Sequence, residues 1–241
     1  MNKKSGLAIS VGIIALLTNS VVIATGNGWW EGYRPYIGLD AQMRRMDFKG
    51  GFGDNLLRHN APQGNLYAGI KLNDCVGVEA GYEATETRSR EATLTTGEVA
   101  AGMPVASAFS PIDFKSKVKV QGPHLDLVGF YSFGENVPVQ LLGSVGVSFF
   151  KGTVERRTVQ FSNPPIASTM NRTLSEHKAV LRLMGGLQYL WGCNLGARAT
   201  IGLVKTSKLV IFSNDGLPGI FVPEIKPKDS TVYGLGVFWI F

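Results

Sequence analysis

Cysteine is almost missing from this chain: Cys75 and Cys193 are the only two in 241 residues. An exported protein is free to oxidise such a pair, but two cysteines by themselves establish no disulfide. They also fall in different predicted turns, on opposite sides of a small barrel, farther apart than the roughly 4.4–6.8 Å between Cα atoms that a bridge tolerates. Histidine is scarce too, with His59, His124 and His177 alone, and no His/Cys spacing resembles a zinc site. No metal and no cofactor is expected. The formal charge is +6, yet no basic stripe concentrates it, which argues against nucleic acid as a partner. Beyond the first 24 residues no run is apolar enough for a membrane helix, which needs about 20 such residues. The remainder is therefore either soluble or a closed barrel, since lipid admits no unpaired strand edges.

What is present begins with an export signal. Lys3 and Lys4 precede an apolar run from Leu7 to Leu17, and Val22-Ile23-Ala24 offers permissive residues for cleavage. The expected organisation is a signal peptide at 1–24, a short periplasmic tail at 25–32 and a barrel at 33–241. No cysteine directly follows the cut, so a lipoprotein anchor is not expected. At the other end Tyr233, Leu235, Val237, Trp239 and Phe241 form an apolar row with a period of two. A terminal aromatic carrying a carboxylate suits the boundary between apolar surface and water.

The same alternation recurs along the chain. Tyr33 to Met43 sets apolar odd positions against Arg34, Tyr36, Gly38, Asp40, Gln42 and Arg44. Leu66 to Leu72 opposes Asn65, Tyr67, Gly69 and Lys71. Val76 to Tyr82 opposes Gly77, Glu79, Gly81 and Glu83. Further strands are expected at Leu125 to Phe133, Val139 to Phe149, Ala179 to Trp191, Leu195 to Leu203 and Tyr233 to Phe241. Short turns at Asn73-Asp74, Gly134-Glu135-Asn136 and Gly192-Cys193-Asn194 alternate with long segments of roughly 20 to 30 residues, the pattern of outer-membrane barrels with short periplasmic turns and long extracellular loops. The fold class is thus an all-β, antiparallel, up-and-down transmembrane barrel of eight strands.

Alternation alone does not say which face points outward, because a soluble barrel alternates as well. Two features favour apolar-out. The polar rows hold glycine, serine and charges of both signs, which fill a narrow lumen better than they cover a wet exterior. Aromatics also gather at two levels: Tyr33, Phe133, Tyr189, Trp191, Trp239 and Phe241 below, Tyr82, Phe149 and Tyr233 above.

The terminal row resembles the C-terminal signal that outer-membrane barrels present to the assembly machinery. Phe241 matches its final aromatic and Tyr233 its upstream tyrosine, while Val237 stands where a tyrosine is common. Pro35-Tyr36-Ile37-Gly38 and Val78-Glu79-Ala80-Gly81-Tyr82 resemble the eight-stranded family of the outer membrane protein A barrel domain and the opacity-type surface proteins. The resemblance lies in the strands and not in the loops. It implies a bacterial outer-membrane location. The chain stops at the barrel, so no peptidoglycan-binding domain is expected.

Asp40, Lys71, Glu79, Glu83, Asp126, Arg182 and Arg198 are the expected lumen ion-pair network, because an isolated buried charge is costly. Ser175-Glu176-His177 invites comparison with lipid A-modifying barrel enzymes. Adjacency at a loop–strand junction does not assemble a triad, so no enzyme is expected and His177 reads as a solvated rim histidine. Lys49-Gly50-Gly51-Phe52-Gly53, Gly97 to Ala108, Arg156-Arg157 with Pro164-Pro165, and Leu209-Val210-Ile211-Phe212 with Ile220-Phe221-Val222 mark four long loops. The expected role is a structural envelope protein whose loops meet host or surface ligands in an adhesin-like way. A narrow channel is the alternative, and a lipid A-modifying enzyme is third. Expected partners are outer-membrane lipid, lipopolysaccharide and the barrel-assembly machinery.

Overall fold

The computed structural model describes residues 33–46, 48–49, 59–95, 99–100, 103–104, 112–134, 137–162, 166–192, 194–205, 226–227 and 229–241. The expected signal peptide at 1–24 and tail at 25–32, Cys193 and the apolar segments at 209–212 and 220–222 lie outside them. Eight strands form the wall: β1 (Arg34–Arg45), β2 (Asn60–Lys71), β3 (Val76–Thr85), β4 (Ile112–Ser132), β5 (Val139–Ser162), β6 (Ile166–Trp191), β7 (Leu195–Val204) and β8 (Ser230–Ile240).

Each strand pairs antiparallel with its sequence neighbour, and β1 pairs with β8 from Tyr36↔Ile240 to Arg45↔Thr231. The sheet has therefore closed on itself, so every ladder between wall strands finds its partner without an edge in lipid. The end of β8 is held at its base: Phe241 N donates to Pro35 O at 2.9 Å, Ile240 N to Asn194 O at 2.7 Å, and Asn194 Nδ2 to Ile240 O at 2.9 Å. In the first short turn Asn73 Oδ1 accepts from the backbone N–H of both Cys75 and Val76 at 2.8 Å. That side-chain mimic of a turn is the reason asparagine serves there. Cys75 is exposed beside it.

Alternation sorts the two faces as the sequence implies. Leu39, Leu66, Leu125, Leu127, Leu183, Ile201, Leu203 and Val237 stand outward and exposed, as does Leu235 at 69%. Asp40, Arg44, Asn65, Glu83 and Ser148 on the facing rows are buried. Water would reject such an exterior and bury the other face instead. The apolar band is a lipid-facing surface, with Tyr131–Phe133 and Tyr189–Trp191 pairs packed edge-on near its lower rim. An even count of antiparallel strands, short turns at one end and an apolar band bounded by aromatics make this a bacterial outer-membrane barrel.

Several boundaries differ from the sequence reading, and β2 begins at Asn60 and not near Asn65. β4 begins at Ile112 and not near Leu125. The β5–β6 ladder continues from Val139↔Tyr189 up to Ser162↔Ile166, where the sequence reading placed a long loop. Arg156 and Arg157 are thus strand residues, and Ser175 to His177 sit within β6 and not at its start. The reason is physical: above the bilayer both faces of a sheet meet water, so the apolar–polar alternation that reveals a wall strand fades. A further strand, Arg88–Leu94, pairs with the upper part of β4 from Arg88↔Val118 to Leu94↔Ile112. It follows β3 after a break at Glu86-Thr87 and widens the extracellular sheet without adding a wall strand. The lower barrel therefore closes with eight strands.

Facing pairs in the lower wall use glycine to admit a ring. Tyr67 lies opposite Gly38 and Tyr36 opposite Gly69, and a Cβ at either glycine would run into the facing tyrosine. Gly69→Ala should consequently displace Tyr36 and lower stability by about 1–3 kcal/mol. Urea titration of the protein refolded in lipid vesicles, followed by tryptophan fluorescence, measures this. An unchanged midpoint would show that the ring relocates without loss.

Candidate functional site

The barrel interior is stratified. At the periplasmic end Tyr36, Tyr67, Val128, Phe130, Leu142, Phe238 and Ile240 pack into one apolar cluster, with Leu190 against it. Tyr36 meets Tyr67 and Phe238 edge-on, with centroids 6.3 and 6.4 Å apart. Phe150, Val204 and Val232 are fully buried higher up. Between these layers lie the charges.

Arg198, on β7, is the hub of the first cluster. Its Nε and Nη2 meet Asp40 Oδ1 and Oδ2 at 3.0 and 2.7 Å, a bidentate fork. Nη1 reaches both oxygens of Glu79 at 3.0 and 3.1 Å, and Tyr36 Oη donates to Glu79 Oε1 at 2.8 Å. The guanidinium stacks 3.6 Å above the Tyr67 ring centre. Four strands, β1, β2, β3 and β7, are thereby tied across the lumen.

Glu83 is the centre of the second cluster. Arg44 Nη2 lies 3.1 Å and Arg182 Nη1 3.0 Å from its oxygens, with Gln63 and Ser148 donating at 2.8 and 3.2 Å. Arg182 Nε is 3.4 Å from Asp126 Oδ2. Arg44 also takes Gln63 Oε1 at 2.8 Å and stands 4.5 Å above the Phe150 ring.

His124 connects the two clusters. Its Nδ1 is 2.8 Å from Asp126 Oδ2 and its Nε2 is 2.8 Å from Asn65 Oδ1. Asn65 uses its amide nitrogen on Asp40 Oδ2 at 3.1 Å, so the oxygen it turns to His124 can only accept. Both ring nitrogens thus face acceptors, and a neutral imidazole can donate from one alone. Four carboxylates, Asp40, Glu79, Glu83 and Asp126, thus share the lumen with three guanidinium groups, Arg44, Arg182 and Arg198, and His124 lies beside Asp126.

The structure brings six of the seven expected lumen charges into these clusters. Lys71 joins neither. It sits at the periplasmic mouth, donating to Gln140 Oε1 at 3.0 Å and lying 4.2 Å above the Phe130 ring. Its position at the end of β2, beyond the apolar cluster, separates it from the carboxylates. His124, to which the sequence reading gave no role, has a wholly buried side chain. Arg44, Gln63 and Asn65 were not among the expected site residues, although all three occupy inward positions. Parity marks them as lumen-facing, but only ring closure shows what they face. His177 is exposed on the outward face of β6, while His59 lies beside Met46 O at 3.2 Å near the barrel top. Tyr233, Leu235, Val237, Trp239 and Phe241 all stand outward on or at the end of β8.

No family model matches the chain, and no curated protein matches it. Among solved structures it is similar to Ail, the attachment invasion locus protein of Yersinia pestis, crystallised in complex with the heparin analogue sucrose octasulfate. Identity there is 16% and the TM-score 0.41, over 87% of this chain and 99% of that one. Neisserial surface protein A is 15% identical with a TM-score of 0.43, over 86% and 97% of the two chains. The outer membrane protein OprG from Pseudomonas aeruginosa is 14% identical with a TM-score of 0.45, over 87% and 96%. The barrel itself is established by the closed register above.

Room inside the charge layer is slight. The cavity among Gln42, Glu79, Asp126, Arg182, Arg198 and Thr200 has a volume of about 10 Å³, roughly enough for one water.

Two outcomes follow. Arg198→Met should cost about 3–5 kcal/mol, because it strands Asp40 and Glu79 unpaired; vesicle urea titration reads the loss. His124→Asn should destabilise as well, and adding Asp126→Asn should recover part of that loss, giving a coupling of about 0.5–3 kcal/mol in the double-mutant cycle. Additive effects would mean that His124 and Asp126 do not interact.

Proposed function

We propose that this protein is a structural, non-enzymatic surface barrel of the outer membrane whose extracellular sheet and loops meet partners outside the cell. The observation that carries the reading is the amount of ordered chain above the bilayer. A wall strand needs about 9–11 residues to cross, whereas β5 has 24 and β6 has 26. With Arg88–Leu94 and the upper part of β4 they make a four-stranded sheet standing clear of the headgroups. At about 3.4 Å per residue the excess is on the order of 50 Å along the strands. Lys115 pairs with Glu91 and Lys117 with Glu155 across it, and Thr93 donates to Asp113 at 2.7 Å. A barrel needing only to span gains nothing from such a platform.

A narrow channel is the competing reading. Among the described residues the lumen holds an apolar cluster and paired charges, which favours the structural role. Catalysis is disfavoured by the surroundings of Ser175 and His177. Their cross-strand neighbours on β5 are Thr153 and Lys151, neither of which is a carboxylate able to orient the histidine. The outward row from Tyr233 to Phe241 is available on the lipid face for the assembly machinery to read.

Replacing residues 156–172 by a two-residue Asn-Gly turn, which joins the paired Glu155 and Thr173, tests the proposal. The shortened protein should still fold, judged by heat-modifiable gel mobility, and should lose cell binding that the full protein confers on vesicles. Planar bilayers containing the full protein should show no discrete current steps. Regular conductance steps, or undiminished binding by the shortened protein, would overturn the reading.

A further inference from the structure

We infer that a six-residue patch on the outward face of β4, β5 and β6 binds the phosphate of an outer-leaflet lipid headgroup. The inference stands on the barrel's placement in the bilayer, independently of any partner met by the platform above.

Outward rows can be followed upward across these strands. Phe149 pairs with Ala179 in the last apolar row. The next outward row is Gln121, Lys151 and His177, since Lys151 is opposite both others. The row above it is Lys119, Thr153 and Ser175, with Thr153 opposite both others. Six adjacent side chains therefore offer two ammonium groups, an imidazole, two hydroxyls and an amide. None is a carboxylate. Neighbours in register have Cβ atoms about 4.5–5.5 Å apart and diagonal ones about 7–8 Å. Lys119 and Lys151 are diagonal neighbours flanking Thr153, so both stems can bring their charges to one phosphate above its hydroxyl.

Two further observations point to an anion from outside the chain. The lysines higher on the same outward face are compensated: Lys115 pairs with Glu91, and Lys117 with Glu155 at 3.5 Å. Lys119 and Lys151 have no such pair among the described residues. Glu86, on the β3 side of Lys119, has interactions of its own. The compensation thus stops at the level where the apolar band ends. That level is the headgroup layer of the extracellular leaflet, and lysine stems there can lie along apolar surface while the ammonium meets phosphate. Like charges are otherwise unfavourable side by side, and a phosphate offsets that repulsion.

The test uses the full protein refolded in nanodiscs of phosphatidylcholine. A bis-phosphorylated lipid A is added, and lipid retained on the released barrel is counted by native mass spectrometry. Lipid A with both phosphates removed and free inorganic phosphate form the other arms. Lys119→Gln/Lys151→Gln should reduce retention of the phosphorylated lipid roughly tenfold to thirtyfold, with no change for the dephosphorylated one. Lys115→Gln/Lys117→Gln, higher on the same sheet, should retain the lipid as the parent does. Equal loss in both variants would mean diffuse attraction and would overturn the site. So would unchanged retention in the first variant, or competition by millimolar free phosphate as effective as that by the lipid. Heat-modifiable mobility of both variants confirms that folding is not what is being read.

Discussion

Closure of the sheet is the constraint on which everything else depends. Backbone groups in hydrocarbon must find partners, and the β1–β8 ladder supplies the last of them. Once the sheet is a tube, alternate residues are committed inward into a space that eight strands leave just wide enough for side chains. Charges placed there have no bulk water to solvate them. They must neutralise one another, and the pairing of Arg198 with Asp40 and Glu79, and of Glu83 with Arg44 and Arg182, meets that demand. The same clusters join strands far apart in sequence, so the lumen acts as a cross-brace as well as a filling.

Above the membrane the rules relax. Both faces of the extended β4–β6 sheet are wetted, and its lysines and glutamates pair across strands at little cost in desolvation. Between these regimes lies a narrow level where Lys119 and Lys151 form no ion pair among the described residues. One sheet thus passes through three environments, and its outward residues change from leucine, to lysine with no ion pair among the described residues, to lysine paired with glutamate.

Legibility followed the same boundaries. The wall strands could be read because one face meets lipid and the other a packed lumen, which imposes a period of two on residues such as Leu39, Asp40 and Ala41. The upper halves of β5 and β6 could not, since Thr153, Glu155 and Thr173 carry no such contrast. Asp40, Glu79, Glu83, Asp126, Arg182 and Arg198 were recognisable as lumen charges from parity. Lys71 shared that parity but not the level. His124 was missed because a lone histidine beside a proline says nothing of Asn65, which lies 59 residues earlier and opposite its ring.

The sequence by itself determined the fold class, the inward and outward faces and the approximate strand order, because these depend on local alternation and on the turns between strands. Which charge meets which was decided only by tertiary structure. Arg198 is 158 residues from Asp40 and 119 from Glu79, and their meeting depends on the stagger at which the barrel closes. That stagger belongs to the ring as a whole, and no single strand encodes it.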